Sequence, residues 1–99
     1  MTAYLISDVS IRSADALQIY RTRAAASILQ YGGRYLVRGG AIEQLEGSWA
    51  PRVIIVVEFP SMEQARVWYR SPEYKAALEV RDLALDRNLI NADGLNGVP

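Results

Sequence analysis

The sequence predicts an α+β fold in which four antiparallel strands form one sheet and helices cover one of its faces. Three observations predict it. The spacing of apolar residues alternates between the short period of strands and the longer period of helices. Serines stand where helices should begin, at Ser13, Ser61 and Ser71. Glycine or proline punctuates the changes of period, at Gly32-Gly33, Gly39-Gly40, Pro60 and Pro72.

From Tyr4 to Ile11, the alternation of Leu5, Val9 and Ile11 with Tyr4, Ile6 and Asp8 predicts a strand. Ser13 and Asp15 then open a helix that should run to about Tyr31. Leu17, Tyr20, Ala24, Ile28 and Tyr31 fall on one stripe of it, and Gly32-Gly33 ends it. Arg34 to Arg38 forms the second strand, with a bulge or bend expected at Gly39-Gly40 and a continuation through Ala41 to Leu45. A turn-rich connection, Glu46 to Pro51, leads to a third strand, Arg52 to Phe59. Ser61 with Gln64 marks a capping box and a short helix. Ser71-Pro72 starts another, extending to roughly Arg87. Asn88 to Ala92 reads as the last strand. Gly94 to Pro99 reads as a loose tail.

The order strand, helix, strand, strand, broken helix, strand is the split βαβ pattern of the ferredoxin-like fold. Right-handed crossovers place both helical layers on one face of the sheet. The 99 residues have room for a single domain, with its core from about residue 4 to 93.

The third strand carries a further expectation. In a sheet covered on one face, only one set of alternating residues should be apolar. Here Val53, Ile55, Val57 and Phe59 form one set, yet Ile54 and Val56 on the other are equally apolar. Monomers seldom leave such a patch in water. A homodimer packed through the helix-free sheet face, a dimeric α/β barrel, removes it.

Composition narrows the function classes. Eleven acids balance eleven bases, so no overall field draws the chain to nucleic acid or to anionic membranes. The third strand also lacks the aromatic platform that RNA-recognition modules of this topology use. No His and no Cys occur, which removes thiol chemistry, the usual haem ligand and most zinc sites. The carboxylates show no clustered oxygen-ligand motif, and the glycine pairs lack the context of a phosphate loop. No metal, haem or nucleotide cofactor is expected. The longest aliphatic run, Val53 to Val57, is too short to span a bilayer. No leader segment is evident, so a cytoplasmic location is expected.

Several residues are candidates for chemistry. Asp8 and Glu58 lie in or at the end of apolar strands, where a carboxyl with a raised pKa could move protons; the plainer reading places them at the solvent margin or beside an Arg. Tyr20, Tyr69 and Tyr74 are placed to line a ligand cleft, or to pack in the core with their hydroxyls at its edge. Arg34 and Arg38 should share one face of the second strand with Leu36. Arg38 is a ligand candidate, against the alternative that both arginines guard a sheet edge. Tyr74, Leu78, Arg81 and Leu85 recur at helical spacing, which points Arg81 at the sheet. A guanidinium there needs a partner, either Asp8 or Glu58 or a ligand's carboxylate or phenolate.

Four segments together, Gly32-Gly33-Arg34-Tyr35-Leu36-Val37-Arg38-Gly39-Gly40, Leu45-Glu46-Gly47-Ser48-Trp49, Glu58-Phe59-Pro60-Ser61 and Trp68-Tyr69-Arg70-Ser71-Pro72-Glu73-Tyr74, resemble domain-of-unknown-function family 1330. That family lies within the dimeric α/β-barrel superfamily. The resemblance covers Tyr4 to about Asp93 and implies the same fold and a homodimer. Superfamily relatives include cofactor-free monooxygenases, lactone isomerases and haem-degrading enzymes that use the cleft between sheet and helices. The His ligand of the haem enzymes has no counterpart in this chain. Two functional readings follow. One is a small-molecule cleft protein, of the cofactor-independent enzyme class, handling an organic acid or phenol. The other is a non-catalytic dimeric binding or structural module.

Overall fold

The computed structural model describes residues 1–95; residues 96–99, part of the tail expected from Gly94 onward, lie outside the described residues. The elements are β1 (Ala3–Ile11), α1 (Ala14–Gln30), β2 (Arg34–Arg38), β3 (Val53–Phe59), α2 (Met62–Tyr69), α3 (Pro72–Ala84) and β4 (Leu85–Asp93). The strands form one antiparallel sheet in the order β2-β3-β1-β4, with β1 and β3 central. This is the ferredoxin-like fold read from the element order.

The strand period sorts side chains as expected. Ala3, Leu5, Ser7 and Val9 of β1 are buried against the helices, beside Val57 and Phe59 of β3. Register aligns Leu5 with Val57 and Asn91, Ser7 with Ile55 and Leu89, and Val9 with Val53 and Arg87. The reverse face carries Tyr4, Ile6, Asp8, Ile54, Val56 and Glu58. The segment from 39 to 52 folds back toward that face: Trp49 Nε1 donates to Asp8 Oδ2 at 2.9 Å. Its apolar side chains stay exposed, Leu45 at 81% and Trp49 at 62%.

Each helix begins where a serine can accept from the third residue on. Ser13, Ser61 and Ser71 take the backbone N–H of Ala16, Gln64 and Tyr74. The second half of the capping box does not form. Gln64 Nε2 donates to Tyr31 O at 2.8 Å, tying α2 to the end of α1. That end is shaped by glycine: Gly32 has φ +85, and a Cβ on Gly33 would lie 2.8 Å from Ile28 and Phe59 side-chain atoms. Trp68 fills the middle of the core, 4.1 Å from the Tyr74 ring centroid and 5.3 Å from that of Phe59. Its indole N–H donates to the buried Ser27 Oγ at 2.9 Å.

Three expectations about elements are corrected. Residues 41–45 do not extend β2, because Gly39 (φ +74) turns the chain out after its N–H bonds Ile54 O. The bend expected at Gly39-Gly40 forms there, and a separate bulge falls at Leu36, between Tyr35 and Val37. It breaks the alternation, so Arg34 pairs with Glu58 on the helix-free face while Arg38 lies opposite Ile55 on the helix face. The two arginines therefore do not share a side. Finally, α3 stops at Ala84 and β4 starts at Leu85, three residues before the expected strand. Pairing along the full length of β1 outweighs the helical pattern there: Ile11 aligns with Leu85, and Arg12 and Ser13 N–H both donate to Ala84 O. Arg12 also grips the Asp86 carboxylate with two nitrogens, at 2.8 and 2.6 Å.

Candidate functional site

The early start of β4 creates the site. Leu85, Arg87 and Leu89 alternate onto the helix-facing side of the sheet, so a guanidinium enters an otherwise apolar row. Above it, α1 and α3 each present one tyrosine. Tyr20 and Tyr74 are both buried, their rings meet edge to face at 6.4 Å, and their hydroxyls are 2.6 Å apart. Arg87 Nη1 donates to Tyr20 Oη at 2.8 Å, and Nη2 donates to Tyr74 Oη. The guanidinium carbon lies 5.7 and 5.9 Å from the two ring centroids.

The electrostatics of this trio are unusual in one respect. Among the described residues, the ion pairs are Arg12 with Asp86, Arg34 with Glu58 and Arg81 with Asp82. Arg87 is partnered by two phenols instead of a carboxylate. Burial pushes the Tyr20 hydroxyl up from its ordinary value, and neighbouring Tyr74 adds to this while Arg87 opposes it. Tyr20 is therefore a neutral hydrogen-bonding group at physiological pH, not a base. Burial works against the charge on Arg87, but the two tyrosine oxygens outweigh it and keep the guanidinium protonated.

Tyr20 and Arg87 of the trio line a narrow cavity of about 40 Å³ between sheet and helices, with Leu5, Ser7, Ile55, Trp68 and Leu89 among its walls. That is space for one or two waters. On the other side of Arg87 a surface cleft of about 350 Å³ opens, lined by Tyr69, Arg81, Asp82, Leu85, Asp86, Arg87 and Leu89. One guanidinium thus joins the enclosed tyrosines to an open cleft.

The sequence candidates divide around this centre. Tyr20 and Tyr74 belong to it, and Tyr69 and Arg81 line the outer cleft. Arg81 is not buried within the core stripe of α3; it borders the cleft beside Leu85, Arg87 and Leu89. The buried residues of α3 are Tyr74, Ala77 and Ala84, and Arg81 pairs with its neighbour Asp82 at 3.3 Å with its side chain 34% exposed. Neither Asp8 nor Glu58 is its partner. Those two carboxylates sit on the opposite face of the sheet, Asp8 bonded to Trp49 and Glu58 to Arg34 at 2.8 Å. Glu58 lies opposite Tyr4 and Asp8 opposite Ile54. Four positions along a strand is about 13 Å, too far for a paired acid and base. Arg38 lies apart from the trio, its guanidinium 4.5 Å from the Tyr35 ring centroid.

Arg87 itself was missed by the sequence reading. It falls at the end of the expected helix, where a basic residue is unremarkable. The signal was present, since Leu85, Arg87 and Leu89 alternate with Asp86 and Asn88. It becomes legible only once the strand is known to begin at Leu85. Among the described residues no group of three or more Asp and Glu is placed to hold a metal ion, and no helix is long and apolar enough to cross a membrane.

Comparison with known proteins places this geometry. No curated protein is significantly similar in sequence. A protein of unknown function from Rhodopseudomonas palustris superposes with a TM-score of 0.78 at 21% identity, covering 96% of this chain and 83% of its own. SnoaB, a cofactor-independent oxygenase from Streptomyces nogalater, superposes with a TM-score of 0.68 at 9% identity, covering 99% and 97%. A dimeric protein of unknown function and ferredoxin-like fold from Bacteroides fragilis gives 0.56 at 8% identity, covering 94% and 96%. At these identities the structures share the fold and nothing finer. The family model described as Domain of unknown function (DUF1330) matches residues 2–95, and the chain belongs to that family.

Proposed function

We propose that the chain is a small-molecule cleft protein that binds an organic acid or a phenol in anionic form, with Arg87 as its anchor. The observation that carries this reading is a half-buried guanidinium whose partners are two tyrosine hydroxyls and no carboxylate. A buried charge without a counter-charge is costly. A ligand carboxylate or phenolate would supply the missing charge and use the donors that Arg87 has left over. Tyr69 and Arg81 would flank the ligand in the outer cleft, and Tyr20 and Tyr74 would hold the guanidinium plane from within.

The test uses 4-nitrophenol, whose anion absorbs visible light. Selective binding of the anion lowers its apparent pKa, so protein added below that pKa should increase the yellow absorbance. Arg87→Met should abolish the increase. Binding of the neutral phenol alone would overturn the proposal.

Such a site can stabilise negative charge developing on a substrate, the service a cofactor-independent enzyme would need from it. The fold is one in which a cofactor-independent oxygenase occurs. A non-catalytic binding module is favoured by a different observation. No carboxylate lines the inner cavity, and Tyr20 is held neutral, so no base stands ready to take a proton there. Turnover of a bound phenol under air would decide for the enzyme.

A homodimer through the helix-free face is part of the proposal. Ile6 and Ile54 there form the floor of a groove of about 510 Å³, walled by Ile42, Leu45, Trp49 and Pro51. Ile90 is 59% exposed on the same face. A second copy would cover these side chains, as the dimeric description of the Bacteroides fragilis protein suggests for the fold.

A further inference from the structure

The tyrosine–arginine trio holds one proton more than it can bond. Tyr74 is fully buried, and among the described residues its hydroxyl meets only Arg87 Nη2 and Tyr20 Oη. Its proton therefore goes to Tyr20 Oη, 2.6 Å away. Tyr20 Oη also accepts from Arg87 Nη1, at 2.8 Å. Two incoming donors fill both lone pairs of that oxygen. Burial keeps the Tyr20 hydroxyl protonated, and its own proton has no acceptor among the described residues. Tyr20 stands at the wall of the inner cavity of about 40 Å³, where Ser7 is a second hydroxyl without a partner. Ser7 is 5% exposed and lies diagonally beside Arg87 on the same sheet face, because Ser7 aligns with Leu89 and Val9 with Arg87. Its Oγ is not sealed in protein. Among the described residues, the side-chain atom that is both partnerless and without accessible surface is Asn91 Oδ1.

We propose that this inner cavity binds a small inorganic anion of halide size, held by the hydroxyls of Tyr20 and Ser7 and by the Arg87 guanidinium. The polar groups are one-sided in their chemistry. No Asp or Glu lines the cavity, and its other polar side chains are engaged elsewhere: Trp68 gives its N–H to Ser27, and Tyr35 lies under the Arg38 guanidinium. A water could accept from these donors, but it would leave one of its own protons without an acceptor and Arg87 without a counter-charge. A halide carries no proton and supplies that charge. Space for about one or two waters admits chloride or bromide and excludes an acid with an organic body. The inference goes beyond the ligand proposed for the outer cleft. The two sites share Arg87 but differ in ligand and in their other polar residues.

The experiment follows the fluorescence of Trp68, which forms part of the cavity wall. The chain has two tryptophans, so Trp49→Phe removes the exposed one and leaves Trp68 as the reporter. Sodium bromide then replaces sodium gluconate at constant ionic strength, and bromide quenches an indole only at contact range. Trp68 is 1% exposed, which protects it from collisions with bromide in solvent. A bromide bound in the cavity should quench it along a curve that saturates, and added chloride should reverse the quenching by competition. Ser7→Ala in the same background removes one donor to the anion and should raise the bromide midpoint by roughly tenfold. Tyr20→Phe should raise it as well, and it tests the same donor set should Ser7→Ala fail to fold. Ser7→Ala leaves the outer cleft intact and should keep the 4-nitrophenol response, so failure of one site is distinguishable from failure of the other. Absent quenching, quenching linear in bromide without a plateau, or an unchanged midpoint in the folded variants would overturn the proposal.

Discussion

Arg87 Nη1 lies 2.8 Å from Tyr20 Oη, joining the last strand to the first helix across 67 positions of sequence. Tyr74 closes the triangle from α3. Three elements therefore meet at one cation and two phenols. The first consequence concerns stability. Tyr74→Phe keeps the ring and removes an acceptor from the guanidinium, which should destabilise the protein by about 1–3 kcal/mol. Arg87→Met keeps much of the apolar stem and removes the charge itself, so its cost should be smaller, within about 1 kcal/mol of wild type. Urea denaturation of both variants checks the order. An arginine variant less stable than the tyrosine variant would contradict the account of an uncompensated charge.

Alkaline pH should act on the same triangle. The hydroxyl of Tyr20 is raised in the folded state above its ordinary value of 10.0, chiefly by burial. Tyr35 is raised too, by burial that Arg38 opposes. A raised folded pKa means the contribution is fully present below the unfolded value and is lost as pH rises beyond it. Stability should therefore fall above about pH 10, where unfolded tyrosines ionise and the buried ones resist. Denaturant midpoints measured on either side of that pH should show the fall, and Tyr20→Phe should flatten part of it.

Packing at the end of α1 makes a steric prediction. A methyl group on Gly33 would meet the Ile28 and Phe59 side chains at 2.8 Å, and Phe59 is fully buried. Gly33→Ala should cost about 1–3 kcal/mol through overpacking. Gly40 has nothing within 4 Å of the same hypothetical atom, so Gly40→Ala should change stability by less than about 0.5 kcal/mol. Thermal melts of the pair compare crowded and open positions.

The helix-free sheet face can be probed by charge. Ile54→Asp places a carboxylate on that face, opposite Asp8. In a homodimer packed there it should convert the sedimenting species to monomer, because a buried unpaired charge costs several kcal/mol. Ile55→Asp points into the helical side and should unfold the chain instead. Wild-type protein sedimenting as monomer at micromolar concentration would refute the dimer.

Trp68 offers a test of the core. Its indole N–H has the buried Ser27 Oγ as partner, at 2.9 Å. Ser27→Ala strands that N–H and should destabilise by about 1–3 kcal/mol. Trp68→Ala should cost about 3–5 kcal/mol through the cavity it leaves. Chemical denaturation of both variants gives the ratio.

Local chemistry alone determined much of the fold. The serine caps, the Gly32-Gly33 stop and the alternation in β1 and β3 act over a few residues, so their outcome can be read in order along the chain. The apolar character of both faces of β3 was legible for the same reason. Tyr20 and Tyr74 were legible as helix residues facing a sheet, although nothing in the sequence brings their hydroxyls to 2.6 Å. What only the tertiary structure decided lies in β2 and β4. The bulge at Leu36 turns Arg38 away from Arg34, and it arises from pairing with β3, a strand 15 residues further on at its nearest. The start of β4 at Leu85 arises from hydrogen bonding to β1, about 70 residues away. Helical spacing through Arg81 and Leu85 gave the contrary answer because it measures one segment's own period, whereas a strand is stabilised by its neighbour. Moving that boundary by three residues takes Arg87 from a helix terminus to the apolar face of a sheet, and with it the position of the candidate site.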